Sequence, residues 1–404
     1  MTKLKAGILR EEKIPHDKRV PFTPEQCKLI LETYPDVDLS VQSSDWRAYK
    51  NDEYKQAGVP LKEDLSDCDL LIGIKEVPKQ FLIEGKRYVF FSHTIKKQPH
   101  NREMLKAIIE KKITLIDYEC LTDPQGNRII GFGRFAGIVG AYNAMMAYGK
   151  KYNLFHLKPA HLAHDRNEIF SLLEDIHLPN IKIAVTGSGR VANGACETLG
   201  ALRIRKVTPH EFLNYSFREA VYCQLHSHDY YLAKDNSPFS AWEFHHHPQD
   251  FRCTFSDAHS YSSISDVLIH CTYWDPRADI LFTKARMRDP DFRISVIADV
   301  TCDLNGSIPS TTKSSTIEDK FYGYNPNTEQ ITEAFNSDAI TVMAIDNLPC
   351  ELPRDASEGF GKHLFERVLP SLFGEDQDAL IERATIIKGG ILTERFKYLE
   401  NYVK

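Results

Sequence analysis

Three short apolar runs end in side chains that can move protons. DLLIGI is followed by Lys75 and Glu76, YVFFS by His93 with Lys96 just beyond, and ITLIDY by Glu119. Parallel sheets bind their ligands outside the carboxyl ends of the strands. If these runs are neighbouring strands, a lysine, a histidine and a glutamate share one rim. There they could act as general acid and base, an effect of about 10²–10⁴ in rate. Any one of them alone reads as a solvated strand tip; three on the same edge point to a site.

A second signal lies farther on. IKIAVTGSGRVANGACETLGAL sets Gly187, Ser188, Gly189, Arg190, Val191 and Ala192 between an apolar strand and a helical run. This is the G-x-G-x-x-A form of the dinucleotide fingerprint, in which glycines let the backbone approach a pyrophosphate at the helix N-terminus. The expected cofactor is therefore NADP or NAD. An acid roughly 20 residues after the first glycine would accept the ribose hydroxyls of NAD. Thr208, after RIRKV, holds that place, and Arg203 and Arg205 are close in sequence, so NADPH is slightly favoured.

The elements that must position these residues alternate in type. In the first half, LKAGIL precedes FTPEQCKLILETY, a helix signalled by Thr23 as cap, Pro24 at its first position and Gln26 closing a capping box. The strands VDLSVQ, DLLIGI, YVFFS and ITLIDY follow, with NREMLKAIIEKK as a helix among them. From Ile181 the alternation repeats with IKIAVTG, DVLIHCTY, ISVIADV and AITVMAID. Alternating strands and helices imply parallel sheets covered on both faces. The expected fold is α/β: two doubly wound Rossmann-like domains with an active-site cleft between them. Residues 1–145 plus 347–404 would form the substrate and catalytic domain, and 146–346 the NAD(P)-binding domain. YNLFHLKPAHLAHDRN reads as the hinge region, and the helical pattern beyond Asp346 as a helix returning to the first domain.

Composition narrows the partners. The 404 residues carry a formal charge of -6, without the basic surplus that draws proteins to nucleic acid. Nine scattered cysteines without a CxxC pair read as reduced, which suggests a cytoplasmic protein. The N-terminus does not resemble a signal peptide. The most apolar long segment, GFGRFAGIVGAYNAMMAYG, contains Arg134 and Asn143 and reads as a closely packed helix instead of a membrane span. His245–His247 are consecutive and lack a spaced second pair, so no metal is expected.

Taken together, REEKIPHDKRVPFTP, DLLIGIKEVP, FFSHTIK, LIDYE, GFGRFAGIVG and AIDNLPCELPRDASEGFG resemble the lysine-ketoglutarate reductase and lysine-forming saccharopine dehydrogenase family, within the alanine dehydrogenase-like superfamily. The resemblance spans nearly the whole chain, an insertion at about 214–263 included. It implies reductive condensation of lysine with 2-oxoglutarate, through an imine reduced by NAD(P)H, to give saccharopine. Lys75 and His93 match the family's acid/base pair, and His93 and Lys96 are expected to lower the lysine's pKa. Glu76 and Glu119 would tune the pair; Arg19, Lys96 and Arg128 match positions that face substrate carboxylates. Cys271 and Tyr273 match the segment beside the ribose, and Asp346, Asn347 and Leu348 the loop near the nicotinamide. Bifunctional members continue into a second enzyme, so a chain stopping at Lys404 is expected to carry only the first activity. The rivals are an alanine dehydrogenase-like enzyme, which needs fewer cations, and a non-catalytic nicotinamide-binding subunit, against which Lys75 and His93 speak. Physiological direction, oligomeric state and regulators are not legible in the sequence.

Overall fold

The computed structural model describes residues 3–404. The chain divides into two compact units, one made of the chain up to Phe132 plus Pro353–Lys404, the other of Gly133–Leu352.

The first unit contains β1 (Leu4–Ile8), α1 (Pro24–Thr33), β2 (Val37–Gln42), α2 (Asn51–Gln56), β3 (Leu61–Lys62), β4 (Leu70–Ile72), β5 (Arg87–Phe90), α3 (Arg102–Glu110) and β6 (Thr114–Asp117). Its parallel strands run in the order β3-β2-β1-β4-β5-β6, and Thr385–Lys388 and Ile391–Leu392 extend the sheet with antiparallel pairing. The order reverses between β1 and β4, which is where a doubly wound sheet opens a crevice for ligand. Strands such as β4 are apolar on both sides because both faces are covered: Leu70, Leu71 and Ile72 are all buried. The capping box of α1 is formed. Thr23 Oγ1 accepts from Gln26 N at 3.2 Å, and Gln26 Oε1 accepts from Thr23 N at 3.0 Å. The helix Pro353–Arg367 joins this unit, where Ser357 Oγ accepts from Val20 N at 2.9 Å.

The second unit contains α4 (Gly133–Lys151), α5 (Arg166–Ser171), β7 (Lys182–Thr186), α6 (Arg190–Ala201), β8 (Arg205–Lys206), α7 (Pro209–Asn214), β9 (Val221–Leu225) and α8 (Ser227–Tyr230), and then the strands Val267–His270, Val296–Asp299 and Ile340–Met343. The sheet runs from β8 through β9 and β7 to those three strands, and ends in the hairpin Tyr322–Asn325 and Gln330–Thr332. Two points differ from expectation. The strand beside β7 is β9, from the stretch read as an insertion; β8 is only two residues long and lies at the edge. The unit boundaries fall at 132/133 and 352/353 instead of 145/146 and 346/347: α4 packs backbone to backbone on α6, and Asn143 of α4 donates through Nδ2 to Glu351 Oε1 at 2.8 Å. A Cβ on Gly137 would stand 1.8 Å from Val191 O, one on Gly194 2.0 Å from Arg134 O, and Thr198 Oγ1 donates to Ile138 O at 2.9 Å.

That contact explains the small residues of GFGRFAGIVG and makes a prediction. Gly194→Ala should destabilise the protein by about 1–3 kcal/mol or more through overpacking. Gly200→Ala, on the same helix with nothing within 4 Å of the added Cβ, should be neutral or stabilising by up to about 1 kcal/mol. Denaturant titration of both variants checks the contrast; equal effects would contradict it.

Candidate functional site

In the first unit the rim is built on two buried acids. Glu11, just after β1, accepts backbone N–H groups from Ile74 at 2.6 Å and Lys75 at 2.8 Å, fixing the turn that presents Lys75 beyond β4. Asp117, at the tip of β6, does the same for two other segments. Its Oδ2 accepts from Ser92 N at 3.1 Å and from the Ser92 hydroxyl, and its Oδ1 accepts from Glu119 N at 2.7 Å. Ser92 Oγ is also 2.8 Å from Thr94 Oγ1, so both neighbours of His93 are tied down. Between them His93 takes a left-handed backbone, φ 52°. A non-glycine residue there costs about 1–3 kcal/mol and persists only where its surroundings over-determine it.

The side chains then pair across the rim. Glu76 Oε1 is 2.7 Å from His93 Nδ1, and its Oε2 accepts from Lys13 Nζ at 2.7 Å. Glu119 Oε1 accepts from Arg128 Nη2 at 2.7 Å and lies 3.3 Å from Lys96 Nζ, while Glu119 Oε2 is buried with no hydrogen-bond partner among the described residues. Burial pushes the Glu76 carboxyl up, but His93 and Lys13 outweigh it and hold it at about 2. Burial likewise opposes ionisation of Glu119, and Lys96 and Arg128 reverse the balance and lower its pKa. Glu11 goes the other way, to about 8, because burial and the nearby Asp17 carboxylate outweigh its two N–H donors. Asp117 is also raised, by burial.

Lys75, Glu76, His93, Lys96, Glu119 and Arg128 thus stand at neighbouring strand ends of one sheet. Arg19 is placed differently from the expectation that it faces a substrate carboxylate. It is buried, with Nη2 2.6 Å and Nε 3.0 Å from the carboxylate of Asp17 and its guanidinium 4.1 Å from the centre of the Phe132 ring. His93 and Lys96, expected as cations lowering the Lys75 pKa, are instead each paired with a carboxylate. Sequence reasoning passed over Glu11, Lys13, Asp17 and Asp117, although all four lie within quoted motifs, the strand-tip position of Asp117 being the one available signal.

The second unit carries the dinucleotide features. Gly187 has φ +103°, and a Cβ there would meet Cys271 O at 3.1 Å. Gly189 is the N-cap of α6 without a side-chain cap, and a Cβ on it would meet nothing within 4 Å. A glycine at the N-cap of a helix that follows a strand is the backbone arrangement that suits a pyrophosphate. Thr186 Oγ1 is 2.8 Å from His270 Nδ1 and accepts from Cys271 N at 3.2 Å, and His270 Nε2 is 2.9 Å from Ser307 Oγ. Cys271 is buried and Tyr273 is 78% exposed. Asp346 Oδ1 is 3.9 Å from Cys302 Sγ, Asn347 precedes the turn Leu348–Glu351 and donates through Nδ2 to Cys350 Sγ at 2.8 Å, and Leu348 is buried. Ser188 sits between the two glycines.

Thr208 is not where the sequence placed it. It caps α7, its Oγ1 accepting from Glu211 N at 3.2 Å, at the end of the edge strand β8. That strand is separated from β7 by β9. His245 and His246 lie in the helix Ala241–His246, with the His246 ring stacked on Trp242 at 4.2 Å. Among the described residues no group of three or more His, Cys, Asp or Glu is arranged to hold a metal. No helix among them is long and apolar enough to cross a membrane.

Residues 7–139 match the model of the alanine dehydrogenase/PNT N-terminal domain. Two solved structures share the fold: L-alanine dehydrogenase, with TM-score 0.63 at 15% identity over 99% of this chain and 100% of that one, and the transhydrogenase of Sinorhizobium meliloti, with TM-score 0.57 at 16% identity over 96% and 98%. Among sequences, the chain is 28% identical to the mitochondrial α-aminoadipic semialdehyde synthase of Mus musculus over 98% of its own length, and 29% identical to the α-aminoadipic semialdehyde synthase of Arabidopsis thaliana over 97%. It is also similar to the saccharopine dehydrogenase [NAD(+), L-lysine-forming] of Schizosaccharomyces pombe, at 24% identity over 90% of this chain and 91% of the relative. The chain is thus similar in its N-terminal part to the alanine dehydrogenase/PNT domain, and over nearly its whole length to the semialdehyde synthases and saccharopine dehydrogenases. It spans about half the length of the semialdehyde synthases it matches, 47% of the mouse protein and 41% of the Arabidopsis one.

The buried acids predict a pH dependence. The Glu11 carboxyl is raised above its ordinary value in the folded state, so its contribution to stability is full below the ordinary carboxylate range and is lost as pH rises through about 8. Denaturation midpoints followed from the acid side through that value should fall more steeply for the wild type than for Glu11→Gln. Parallel curves would contradict it.

Proposed function

We propose that this chain is an oxidoreductase that condenses the ε-amine of lysine with 2-oxoglutarate and reduces the product to saccharopine, NADPH serving at least as well as NADH. The observation that supports it most is the composition of the first unit's rim. It holds a lysine and a histidine beside a buried carboxylate oxygen without a partner, Glu119 Oε2, and beside the half-exposed cations Lys96 and Arg128. A reaction joining an amine to a dicarboxylate needs both kinds of group. An enzyme for a single small carboxylate needs fewer cations.

In this reading the lysine nitrogen attacks C2 of 2-oxoglutarate and gives a carbinolamine, which loses water to form an imine. Lys75 and His93 carry the protons of both steps. Glu76 holds Nδ1 of His93, leaving Nε2 as the exchanging nitrogen, and Glu119 Oε2 accepts a hydrogen bond from the substrate's amine. Lys96 and Arg128 pair the carboxylates, Arg through its planar fork. Arg19, bound to Asp17, shapes the loop that carries it. Gly187, Ser188, Gly189, Arg190 and Val191 would hold the dinucleotide's pyrophosphate, Cys271 and Tyr273 its ribose, and Asp346, Asn347 and Leu348 its nicotinamide end. Bound coenzyme supplies the hydride that reduces the imine carbon. The names of the semialdehyde synthase and lysine-forming saccharopine dehydrogenase relatives support the same substrate class.

Two outcomes are expected. With 2-oxoglutarate present, lysine should drive NAD(P)H oxidation far faster than pyruvate plus ammonia does. Equal or greater activity with pyruvate and ammonia would instead favour an alanine dehydrogenase-like reaction, and coenzyme binding without turnover on any amine a binding subunit. His93→Gln and Lys75→Met should each lower kcat by about 10² or more with coenzyme affinity unchanged, since proton transfer is lost and the second unit is untouched. Near-normal turnover in both variants would remove these residues from the mechanism.

A further inference from the structure

The strand tip beside the glycine loop belongs to β9. Leu225 is in register with Thr186, and Gly187 N donates to Leu225 O at 2.7 Å. His226 is therefore the residue level with Gly187, one strand spacing of about 4.8 Å away. In dinucleotide folds this tip reads the adenosine ribose: a carboxylate accepts the hydroxyls of NAD(H) and repels the phosphate of NADP(H).

Here the tip reads His226-Ser227-His228-Asp229. His226 and His228 are exposed, their rings 5.3 Å apart. The one carboxylate is turned back into the chain: Asp229 Oδ2 accepts from His226 N at 2.7 Å, and Oδ1 is 3.6 Å from His228 Nε2. A cation arrives from β8. Lys206 Nζ donates to Gln224 Oε1 at 2.8 Å, and Gln224 Nε2 donates to Gly187 O at 3.1 Å, so the ammonium is joined to the glycine loop through a single side chain.

An imidazole, a hydroxyl and an ammonium are hydrogen-bond donors suited to a phosphate, and an ionised acceptor strengthens such bonds. We propose that His226, Ser227 and Lys206 form the site that takes the ribose 2'-phosphate of NADP(H), and that this tip, not Thr208, sets coenzyme choice. The inference rests on the glycine loop being a dinucleotide site and is independent of which amine is reduced.

The test is an equilibrium titration of the full chain with NADPH and with NADH, followed by nicotinamide fluorescence in the absence of lysine and 2-oxoglutarate. The wild type should bind NADPH at least as tightly as NADH. His226→Asp should shift the ratio of dissociation constants toward NADH by about tenfold or more, which is roughly 1.4 kcal/mol. Lys206→Met should weaken NADPH and leave NADH unchanged. Thr208→Asp should leave the ratio within about twofold, a change worth roughly 0.4 kcal/mol. Unaltered circular dichroism and melting midpoints would show that the variants fold. An unchanged ratio in His226→Asp, or a full shift in Thr208→Asp, would overturn the assignment. So would a wild type that prefers NADH and loses only NADH on Asp229→Asn, which would make Asp229 the ribose acceptor.

Discussion

A carboxylate with no water around it must take its hydrogen bonds from the chain, and at the rim of the first unit that requirement fixes the geometry. Asp117 is fully buried at the tip of β6. It finds its donors in the two segments that carry His93 and Glu119. A buried acceptor left unsatisfied costs about 1–3 kcal/mol, so either segment pulled away would leave Asp117 short. The constraint also explains how His93 can hold a left-handed backbone: the residues on both sides of it are anchored before its own side chain makes any contact. Glu11 applies the same device to the turn before Lys75. Ionisable groups that follow three different strands are thus located by backbone hydrogen bonds to buried acids.

Above that framework the charges are arranged in pairs. Glu76 is shared by His93 and Lys13, Glu119 by Arg128 and Lys96, and Asp17 by Arg19. Pairing keeps buried charges affordable, because removing one partner strands the other in a poorly hydrated place. In the second unit hydroxyl groups take the place of the paired cations at the strand ends. Thr186, His270 and Ser307 form one chain, and Asp299 accepts from Thr301 and Thr311. Burial lowers the pKa of His270, which suits an imidazole that links two hydroxyls.

Much of the fold was legible because its signals are local. The Thr23–Gln26 box, the apolar runs of β1, β4 and β5 and the glycine turn after β7 each depend on a few adjacent residues, and each is formed. What failed depended on pairing. RIRKV looked like the neighbour of β7, but only Arg205 and Lys206 pair, at an edge, while VYCQL takes the inner position from within an apparent insertion. Thr208 was displaced by that one error. The candidate rim was legible in its residue types, since Lys75, His93 and Glu119 follow their strands as read. The roles of Arg19, Glu11 and Asp117 were not, because burial is decided by what packs over a side chain and no spacing along the chain records it.

The proposed reaction joins an amine nitrogen to the keto carbon of a dicarboxylate. It is tested most directly by the bond itself. Lysine labelled with nitrogen-15 at the ε position and 2-oxoglutarate labelled with carbon-13 at C2 would be incubated with the protein and NADPH, and the product examined by nuclear magnetic resonance. The proposed reaction gives a secondary amine whose nitrogen-15 shows one-bond coupling to the labelled carbon. Consumption of NADPH with no such coupling, the label appearing instead in free glutamate or remaining in unreacted lysine, would contradict it.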